Sequence, residues 1–490
     1  MNDFEYRSQI NTPLLDALRG SSNRPHAPFY VPGHKRGKGI SSRLLALFGE
    51  DVFRYDLPEL PEFGNLFPPE GVMKQAQGLA AEAFGADQTW FLANGSTSGV
   101  MAAILATCGE GEKIILPRTV HQSAIAGLIL SGAIPIFINP VYDSSFDLPY
   151  NLTPTAFHSA IAQHPDSKAI LITSPTYQGV CADIETIAQI AHSHQIPLLV
   201  DAAHGAHFGF HPQFPKSPLT LGADVVIQSL HKTLGALTQA SLLHQKGQRV
   251  SATALTSALQ CLQSSSPSHL LLASLDAARQ QVATAGEKLL GQALALAQQA
   301  TEKIKTIPEI TVFSPATPQL GCQAIDPTRL SVDVSALGLT GFAADEILHE
   351  QFAVTAELPT AKTLTFVVTF GNTEADIEAL VKGLRALKEK KTAEEISKMK
   401  LSALPPLAPC ISPRQAFFSE KKTLPVSSTI GQISAEFVCP YPPGIPVLMP
   451  GETITAEALT YLQQVLALGS NVSLTGCRDS SLETLEVISV

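Results

Sequence analysis

The stretch Ala223-Asp224-Val225-Val226-Ile227-Gln228-Ser229-Leu230-His231-Lys232-Thr233 carries a lysine a few residues after an apolar run. Upstream, a second apolar run, Ile196-Pro197-Leu198-Leu199-Val200, ends at Asp201. Short apolar runs of this kind form strands that are buried on both faces. Because ligand-binding residues of such sheets follow the carboxyl ends of the strands, we expect Lys232 and Asp201 to reach one edge of one sheet.

A lysine and an aspartate placed in this way are what an enzyme that uses pyridoxal phosphate (PLP) requires. The lysine amine forms a Schiff base with the cofactor aldehyde, and the aspartate keeps the pyridine nitrogen protonated so that the ring accepts electrons. Desolvation and nearby positive charge should depress the pKa of the Lys232 amine. Taken singly, Lys232 could be a surface lysine and Asp201 a plain strand end, so the neighbouring motifs decide the interpretation.

The motif Asn94-Gly95-Ser96-Thr97-Ser98-Gly99 lies between a strand-like run and a helix predicted over 100–106. Free N–H groups at a helix start bind phosphate, and hydroxyl groups supplement them. On its own the motif is only a capped helix, but beside a cofactor lysine it predicts a phosphate site. The predicted phosphate ligands are Gly95, Ser96, Thr97, Ser229 and His231.

Four further residues follow predicted strands. His121 could stack on a pyridine ring, although a lone histidine at a helix start is more often a cap. Ala203 could pack on the opposite face of the ring, and His204 could contact the substrate or take part in the proton chemistry. Thr176 is predicted to donate to the phenolic oxygen of the cofactor.

The bulk composition excludes several function classes. A formal net charge of −10 argues against a nucleic-acid-binding surface. Seven cysteines without metal-knuckle spacing suggest a reduced, cytoplasmic protein and no metal site. No signal peptide is visible, and no uncharged apolar run approaches the ~20 residues of a membrane span.

The 490 residues are too many for one hydrophobic core, so several domains are expected. Helical stretches alternate with apolar runs, which predicts an α/β fold with a mainly parallel central sheet. The predicted strands cover 90–92, 113–116, 134–138, 169–172, 198–200 and 225–227. The expected organisation is an N-terminal arm (1–69), a large PLP-binding domain (70–265), a connecting helix with a small α/β domain (266–395) and a C-terminal α+β domain (396–490).

Downstream of the large domain the pattern changes. A long Ala- and Leu-rich helix is predicted over 270–305, then strands at 329–334 and 364–369. A charged helix is predicted around 388–391, and the Pro-rich stretch 404–409 is predicted to be a linker. The remaining features are a Pro/Gly cluster at 440–446 and a helix predicted over 455–467.

With these motifs the chain resembles the fold-type-I, PLP-dependent ornithine/lysine/arginine decarboxylases almost from end to end. The motifs that carry the resemblance are PGHKRG (32–37), NGSTSG (94–99), RTVHQS (118–123), SPTYQG (174–179), VDAAHGAHFGFHP (200–212), SLHKTLGALTQAS (229–241), SSSPSHLLLASLDAAR (264–279) and PYPPGIPVLMPGE (440–452). The last motif is the most specific, because aminotransferases of the same fold lack it. The resemblance implies an aspartate aminotransferase-like fold and decarboxylation of a basic amino acid to its amine.

The resemblance also implies the residue roles predicted above and a homodimer with sites at the subunit interface. Loops at 33–35, 265–266 and 440–446 could then come from the partner subunit. The residues predicted to handle the substrate are His34, Asp56, Glu59, His204, Ser266 and Glu357. The large inducible enzymes of this family carry an N-terminal wing, whereas this chain starts at the arm, which favours a dimer or a small multiple of one.

The sequence leaves the substrate open, with arginine or lysine favoured over ornithine. Discrimination among them depends on where carboxylates lie in the pocket. Two other functions stay open as well: a different PLP reaction such as transamination, and a PLP-binding protein without catalysis. The complete set of cofactor-binding residues argues against the second.

Overall fold

The computed structural model describes residues 8–392, 396, 409–441, 445–468 and 472–489. Within these ranges the chain divides into two compact units. Unit 1 comprises Met1–Ala106 and Leu199–Leu289, and unit 2 comprises Thr107–Leu198 and Leu290–Val490. Most of the predicted linker 404–409 and part of the 440–446 cluster lie outside the described residues.

Unit 1 contains the strand that precedes the phosphate motif and the strands on either side of the lysine motif. Its elements are α1 (Pro13–Ser22), α2 (Ser42–Phe48), α3 (Asp51–Tyr55), α4 (Gly71–Phe84), β1 (Gln88–Leu92) and α5 (Gly95–Thr107) in the first segment. The second segment holds β8 (Leu198–Asp201), β9 (Val225–Ser229), α9 (Leu230–Thr233), β10 (Ser241–Gln245), α10 (Ala252–Leu262) and the start of α11 (His269–Lys305). The strands are ordered β1-β10-β9-β8.

Strands β8 and β9 are parallel, with Asp201 opposite Ile227, whereas β10 is antiparallel to both β9 and β1. Side chains of Leu199, Val200, Val225 and Val226 are fully buried. This burial explains why the two runs are apolar throughout rather than alternating. The parallel pairing puts the carboxyl ends of β8 and β9 side by side, as the sequence predicts for Asp201 and Lys232.

Unit 2 begins with alternating strands and helices. They are β2 (Lys113–Pro117), α6 (Gln122–Ser131), β3 (Ile134–Ile138), β4 (Tyr142–Asp143), β5 (Leu148–Pro149), α7 (Pro154–Gln163), β6 (Ala169–Thr173), β7 (Val180–Cys181) and α8 (Ile184–Ser193). The order β6-β2-β3 is parallel throughout. Ile170 donates to the Pro197 carbonyl (3.0 Å), just before β8 begins. The pairings of β2 with β3 and β6, and of β8 with β9, are thus parallel. This agrees with the predicted fold class, in which the central sheet is mainly parallel.

Among the described residues, the second segment of unit 2 contains two large hydrophobic cores. Its elements are β11 (Thr311–Val312), β12 (Ala324–Ile325), β13 (Arg329–Asp333), α12 (Gly341–Phe352), β14 (Leu358–Pro359), β15 (Thr363–Val367), α13 (Glu374–Ala386), α14 (Pro413–Phe418), β16 (Lys421–Pro425), β17 (Cys439–Tyr441), α15 (Ala456–Leu466), β18 (Ser473–Thr475) and β19 (Thr484–Ile488). One core packs β13 and β15 against α12 and α13. The other includes residues of β19 and α15.

Most predicted elements are present at their predicted positions. The long helix covers 269–305, and the helix predicted over 455–467 covers 456–466. The charged segment at 388–391 differs, since it forms a 3₁₀ turn over Leu387–Lys390 after α13. The four-part domain division stays a prediction. In the described part of the chain, no helix is both long and apolar enough to cross a membrane.

Candidate active site

Lys232 lies in the short helix α9, which follows β9 directly. Its Nζ atom is 2.9 Å from Nε2 of His204, a residue of the loop after β8. His204 is buried, with 3% of its surface exposed. The parallel strands therefore bring the predicted cofactor lysine and the predicted proton-handling histidine into hydrogen-bonding contact.

Asp201 ends β8, and its side chain is 7% exposed. Its Oδ1 atom accepts a hydrogen bond from the N–H of Ala203 (3.1 Å). Among the described residues, no hydrogen bond is made to Oδ2. A buried carboxylate costs free energy unless its oxygens have partners, so the second oxygen suits the N–H of a protonated pyridine ring. Ala203 is also buried, as a residue packed against a ring would be.

The predicted phosphate ligands lie around the start of α5. The helix begins at Gly95, five residues earlier than the sequence pattern predicts, so Ser96 and Thr97 belong to its first turn. The N–H groups of a first helical turn have no partners within the helix. Gly99 of α5 packs tightly on the sheet, because an added Cβ would lie 2.8 Å from Leu92 and 2.9 Å from Ile227.

The start of α5 is connected to the segment that carries the lysine. A Cβ added to Gly95 would lie 3.9 Å from Gln239. The carbonyl of Ala240 accepts from His231 Nδ1 (3.1 Å), and the Ser241 hydroxyl donates to Ser229 Oγ (3.4 Å). The segment 239–241 therefore contacts Gly95, Ser229 and His231, and these residues with the start of α5 offer donors of the kind that bind phosphate.

A buried hydrogen-bonded chain supports the loop that carries His204. Gln228 Nε2 donates to the carbonyl of Gly205 (3.2 Å), so its Oε1 accepts from His244 Nε2 (3.1 Å). His244 Nδ1 then accepts from the Thr89 hydroxyl (2.8 Å). Burial lowers the pKa of His244 to about 3, which keeps the ring neutral in this tautomer.

His121 and Thr176 belong to unit 2. His121 caps α6, since its Nδ1 accepts from the N–H of Ser123 (3.2 Å), which leaves the proton on Nε2. The Thr176 hydroxyl accepts from the N–H of Val180 (3.2 Å) within a tight turn. Both residues line the same cavity of about 270 Å³. The structure therefore brings these two predicted cofactor contacts together.

The residues predicted to handle substrate are scattered. In unit 1, His34 Nε2 is 3.1 Å from the Asp56 carboxylate, so the two candidates pair with each other. Glu59 accepts from the N–H of Leu66 (3.0 Å). In unit 2, Glu357 is exposed and does not line the cavity that contains His121 and Thr176.

Ser266 lies near the phosphate motif. It is exposed, and its N–H donates to Ser264 Oγ (3.2 Å). The N–H of Ser264 donates in turn to Asn94 Oδ1 (3.2 Å), next to the start of α5. The loop at 264–266 therefore contacts the segment before α5 in this chain, and its contribution to a partner subunit's site stays a prediction.

Sequence reasoning missed three groups of residues in these regions. The chain of Thr89, His244 and Gln228 has only a weak signal in the sequence, since His244 follows two leucines in β10. No sequence pattern points to Asp147, which lines the cavity of unit 2. The same is true of the buried Arg118–Glu452 pair, whose partners are far apart in the chain.

Comparisons with known protein families cover most of the chain. A family model described as Orn/Lys/Arg decarboxylase, major domain, matches residues 12–328. A second one, described as Orn/Lys/Arg decarboxylase, C-terminal domain, matches residues 388–472. The second match includes the Pro/Gly cluster at 440–446.

Individual relatives agree with these matches. The arginine decarboxylase of Bacillus subtilis (strain 168) is 38% identical over 484 residues, and the arginine decarboxylase of Bacillus anthracis is 39% identical over 488 residues. Each alignment covers 98% of both chains. The solved structure of the Francisella novicida lysine decarboxylase LdcF has a TM-score of 0.84 at 20% identity, covering 98% of this chain and 82% of that one. This structural similarity confirms the predicted fold.

Proposed function

Because the chain belongs to the Orn/Lys/Arg decarboxylase family, we propose that it is an arginine decarboxylase that converts arginine to agmatine and CO2. The choice of arginine rests on the sequence identity to the named relatives. Relatives named arginine decarboxylase share 38% and 39% of residues over nearly the whole chain, whereas the structurally similar lysine decarboxylase shares 20%. Lysine is the second candidate substrate and ornithine the third.

The residues present fit PLP. Unit 1 provides an amine at Lys232, a buried carboxylate with an available oxygen at Asp201, and a helix start rich in donors at Gly95, Ser96 and Thr97. Bound PLP supplies an aldehyde and a pyridine ring that accepts the electron pair left when CO2 departs. The protein supplies binding, orientation and proton transfer.

Lys232 and His204 form the proton-handling pair. At 2.9 Å, His204 Nε2 can take a proton from Lys232 Nζ, which leaves the neutral amine that nucleophilic attack requires. The same proton can return through Lys232 or His204 to the substrate α-carbon after CO2 leaves. Gln228 holds the loop of His204 through Gly205, so we assign it a positioning role.

Asp201 would pair with the pyridine nitrogen when PLP is bound, and the N–H of Ala203 fixes the orientation of its carboxylate. His121 and Thr176 of unit 2 keep their predicted roles of ring stacking and bonding to the phenolic oxygen. Ser229 and His231 complete the phosphate ligands. We further propose that the enzyme is a cytoplasmic homodimer of polyamine metabolism, with the four-part domain organisation predicted from the sequence.

The proposal is tested by measuring the amine formed from each substrate. The enzyme saturated with PLP is incubated separately with arginine, lysine and ornithine, and the amines are quantified by chromatography. We expect kcat/KM for arginine to exceed that for lysine by at least ~10-fold, since the two cations differ in geometry. A preference for lysine or ornithine would refute the assignment of arginine, and sedimentation of the holoenzyme as a monomer would refute the homodimer.

A further inference from the structure

The cavity of unit 2 has aromatic and apolar walls. It measures about 270 Å³, close to the lower limit of about 300 Å³ for ligand pockets. The chain after β2, the β4–β5 hairpin and helix α15 all contribute to its lining. Its aromatic residues include Tyr142, Tyr150, Phe342 and Tyr461.

Asp147 supplies the one carboxylate among the described residues that line this cavity. It lies between β4 and β5 and accepts a hydrogen bond from the hydroxyl of Tyr142. Burial raises the pKa of Asp147; the hydrogen bond from Tyr142 and the charge of Lys362 oppose this effect, and nearby Asp333 adds to it. The ionised carboxylate is therefore short of compensating interactions.

The phenol of Tyr461 lies close enough to sense this charge. Burial, together with the negative charge of Asp147, raises the pKa of Tyr461 to about 12. Burial and Asp147 raise the pKa of Tyr142 as well. Two neutral phenols and a carboxylate thus face the same part of the cavity.

No cation of the described residues neutralises Asp147 by direct contact. Arg118 also lines the cavity, but its guanidinium is paired with Glu452 at 3.0 Å. Lys362 acts on Asp147 only electrostatically, without an ion pair within 4.0 Å. A positively charged ligand would therefore supply the counter-charge that no described residue gives Asp147 by direct contact.

We propose, resting on the proposed function, that this cavity binds the cationic end of the substrate and that Asp147 is its counter-ion. A guanidinium group is planar, pairs with carboxylates and stacks on aromatic rings. Its contact with the faces of Tyr142, Phe342 or Tyr461 would add cation–π attraction. Arginine and its amine product share this group, so both should bind.

Replacing Asp147 by Asn removes the charge and keeps the shape. Asp147 has a φ of 58°, a left-handed conformation that Asn tolerates as well as Asp. Loss of a charge-assisted hydrogen bond should raise the KM for arginine about 10- to 100-fold. We expect kcat to change by less than threefold and the content and absorbance of bound PLP to be unchanged.

Two variants serve as controls. Asp143 lies on the same hairpin but binds Tyr150 (2.5 Å) and the N–H of Ser145 (2.8 Å) and does not line the cavity. Asp143→Asn should leave the KM within about twofold of wild type. Asp147→Glu, which restores the charge, should recover part of the affinity and serves as the second variant if Asp147→Asn loses PLP.

A binding measurement without turnover separates this proposal from the proposed function. Calorimetric titration of the holoenzyme with agmatine should give a Kd that rises about 10- to 100-fold in Asp147→Asn. Equal KM and Kd values in wild type and Asp147→Asn would overturn the role of Asp147 while leaving arginine decarboxylation intact. If no basic amino acid is decarboxylated, agmatine binding that depends on Asp147 would still support the cavity assignment.

Discussion

The buried ion pair between Arg118 and Glu452 holds the chain after β2 against the C-terminal motif at 446–452. The nitrogen–oxygen distance is 3.0 Å, and the two side chains are 2% and 0% exposed. Arg118 also donates to the carbonyls of Pro446 (3.2 Å) and Val447 (2.9 Å). Burial lowers the pKa of Arg118 and raises that of Glu452, so for each group desolvation outweighs the attraction of its partner.

Removal of one charge should therefore destabilise unit 2 more than removal of both. Glu452→Gln leaves a buried guanidinium without its counter-ion, which costs about 3–5 kcal/mol. The double variant Arg118→Met with Glu452→Leu contains no uncompensated charge. We expect it to recover at least ~1 kcal/mol, although two carbonyls lose their donor and the N–H of Met449 loses its acceptor.

The thiol of Cys439 reports on this segment. It is fully buried in β17, next to Val438, which exchanges backbone hydrogen bonds with Leu448. Burial raises the pKa of Cys439 to about 12, so the thiol reacts only when the segment opens. A loss of 3–5 kcal/mol corresponds to labelling roughly 150- to 5,000-fold faster, measured by mass spectrometry of the Cys439 peptide.

The exposed Cys261 and the buried Trp90, the single tryptophan of the chain, provide controls in unit 1. The labelling rate of Cys261 and the fluorescence of Trp90 should be unchanged in every variant. If Glu452→Gln labels Cys439 within threefold of the wild-type rate, the reasoning from burial is refuted. It is refuted as well if the double variant opens as readily as Glu452→Gln.

Three further predictions concern unit 1. Asp201→Ala should lower kcat at least ~100-fold at saturating PLP, because it removes the buried partner of the pyridine nitrogen; activity within a few-fold of wild type would contradict this role. Gln228→Leu removes the donor to Gly205 and should lower kcat about 10-fold and shift the pH profile of bound PLP absorbance; an unaltered profile would exclude a positioning role. Since the folded pKa of His244 is about 3 and its ordinary value is 6.5, the unfolded state binds the extra proton between these values, and stability should fall by up to ~1.4 kcal/mol per pH unit as pH drops through this window. Fluorescence of Trp90 during urea unfolding should show a shallower fall for His244→Gln, and identical pH dependence in both proteins would count against the buried neutral ring.

The parallel strands β2, β6, β8 and β9 were predictable because buried parallel strands are apolar along their whole length. Asp201 and Lys232 were predictable for the same reason, since each follows such a run directly. The start of α5 was predicted too late, because the small polar residues Ser96 and Thr97 resemble a loop although they form a first helical turn. The segment at 388–391 is helical in composition, but the structure has only a 3₁₀ turn there.

The missed residues depend on tertiary contacts. Arg118 and Glu452 lie on segments distant in sequence, and no local pattern links them. Asp147 belongs to a hairpin loop, where an aspartate is ordinary turn chemistry. Glu357 is an acidic residue beside apolar stretches, yet the structure leaves it exposed. Burial and pairing, which decide whether a charged residue can bind a ligand, follow from the fold.

The release of CO2 from arginine by wild-type enzyme and by Lys232→Ala, each with added PLP, is the decisive experiment for PLP-dependent decarboxylation at Lys232. We predict rapid release by wild type and a loss of at least ~1,000-fold in the variant, because the nucleophilic amine is gone. No release by wild type saturated with PLP, or release by Lys232→Ala at a similar rate, would contradict the assignment.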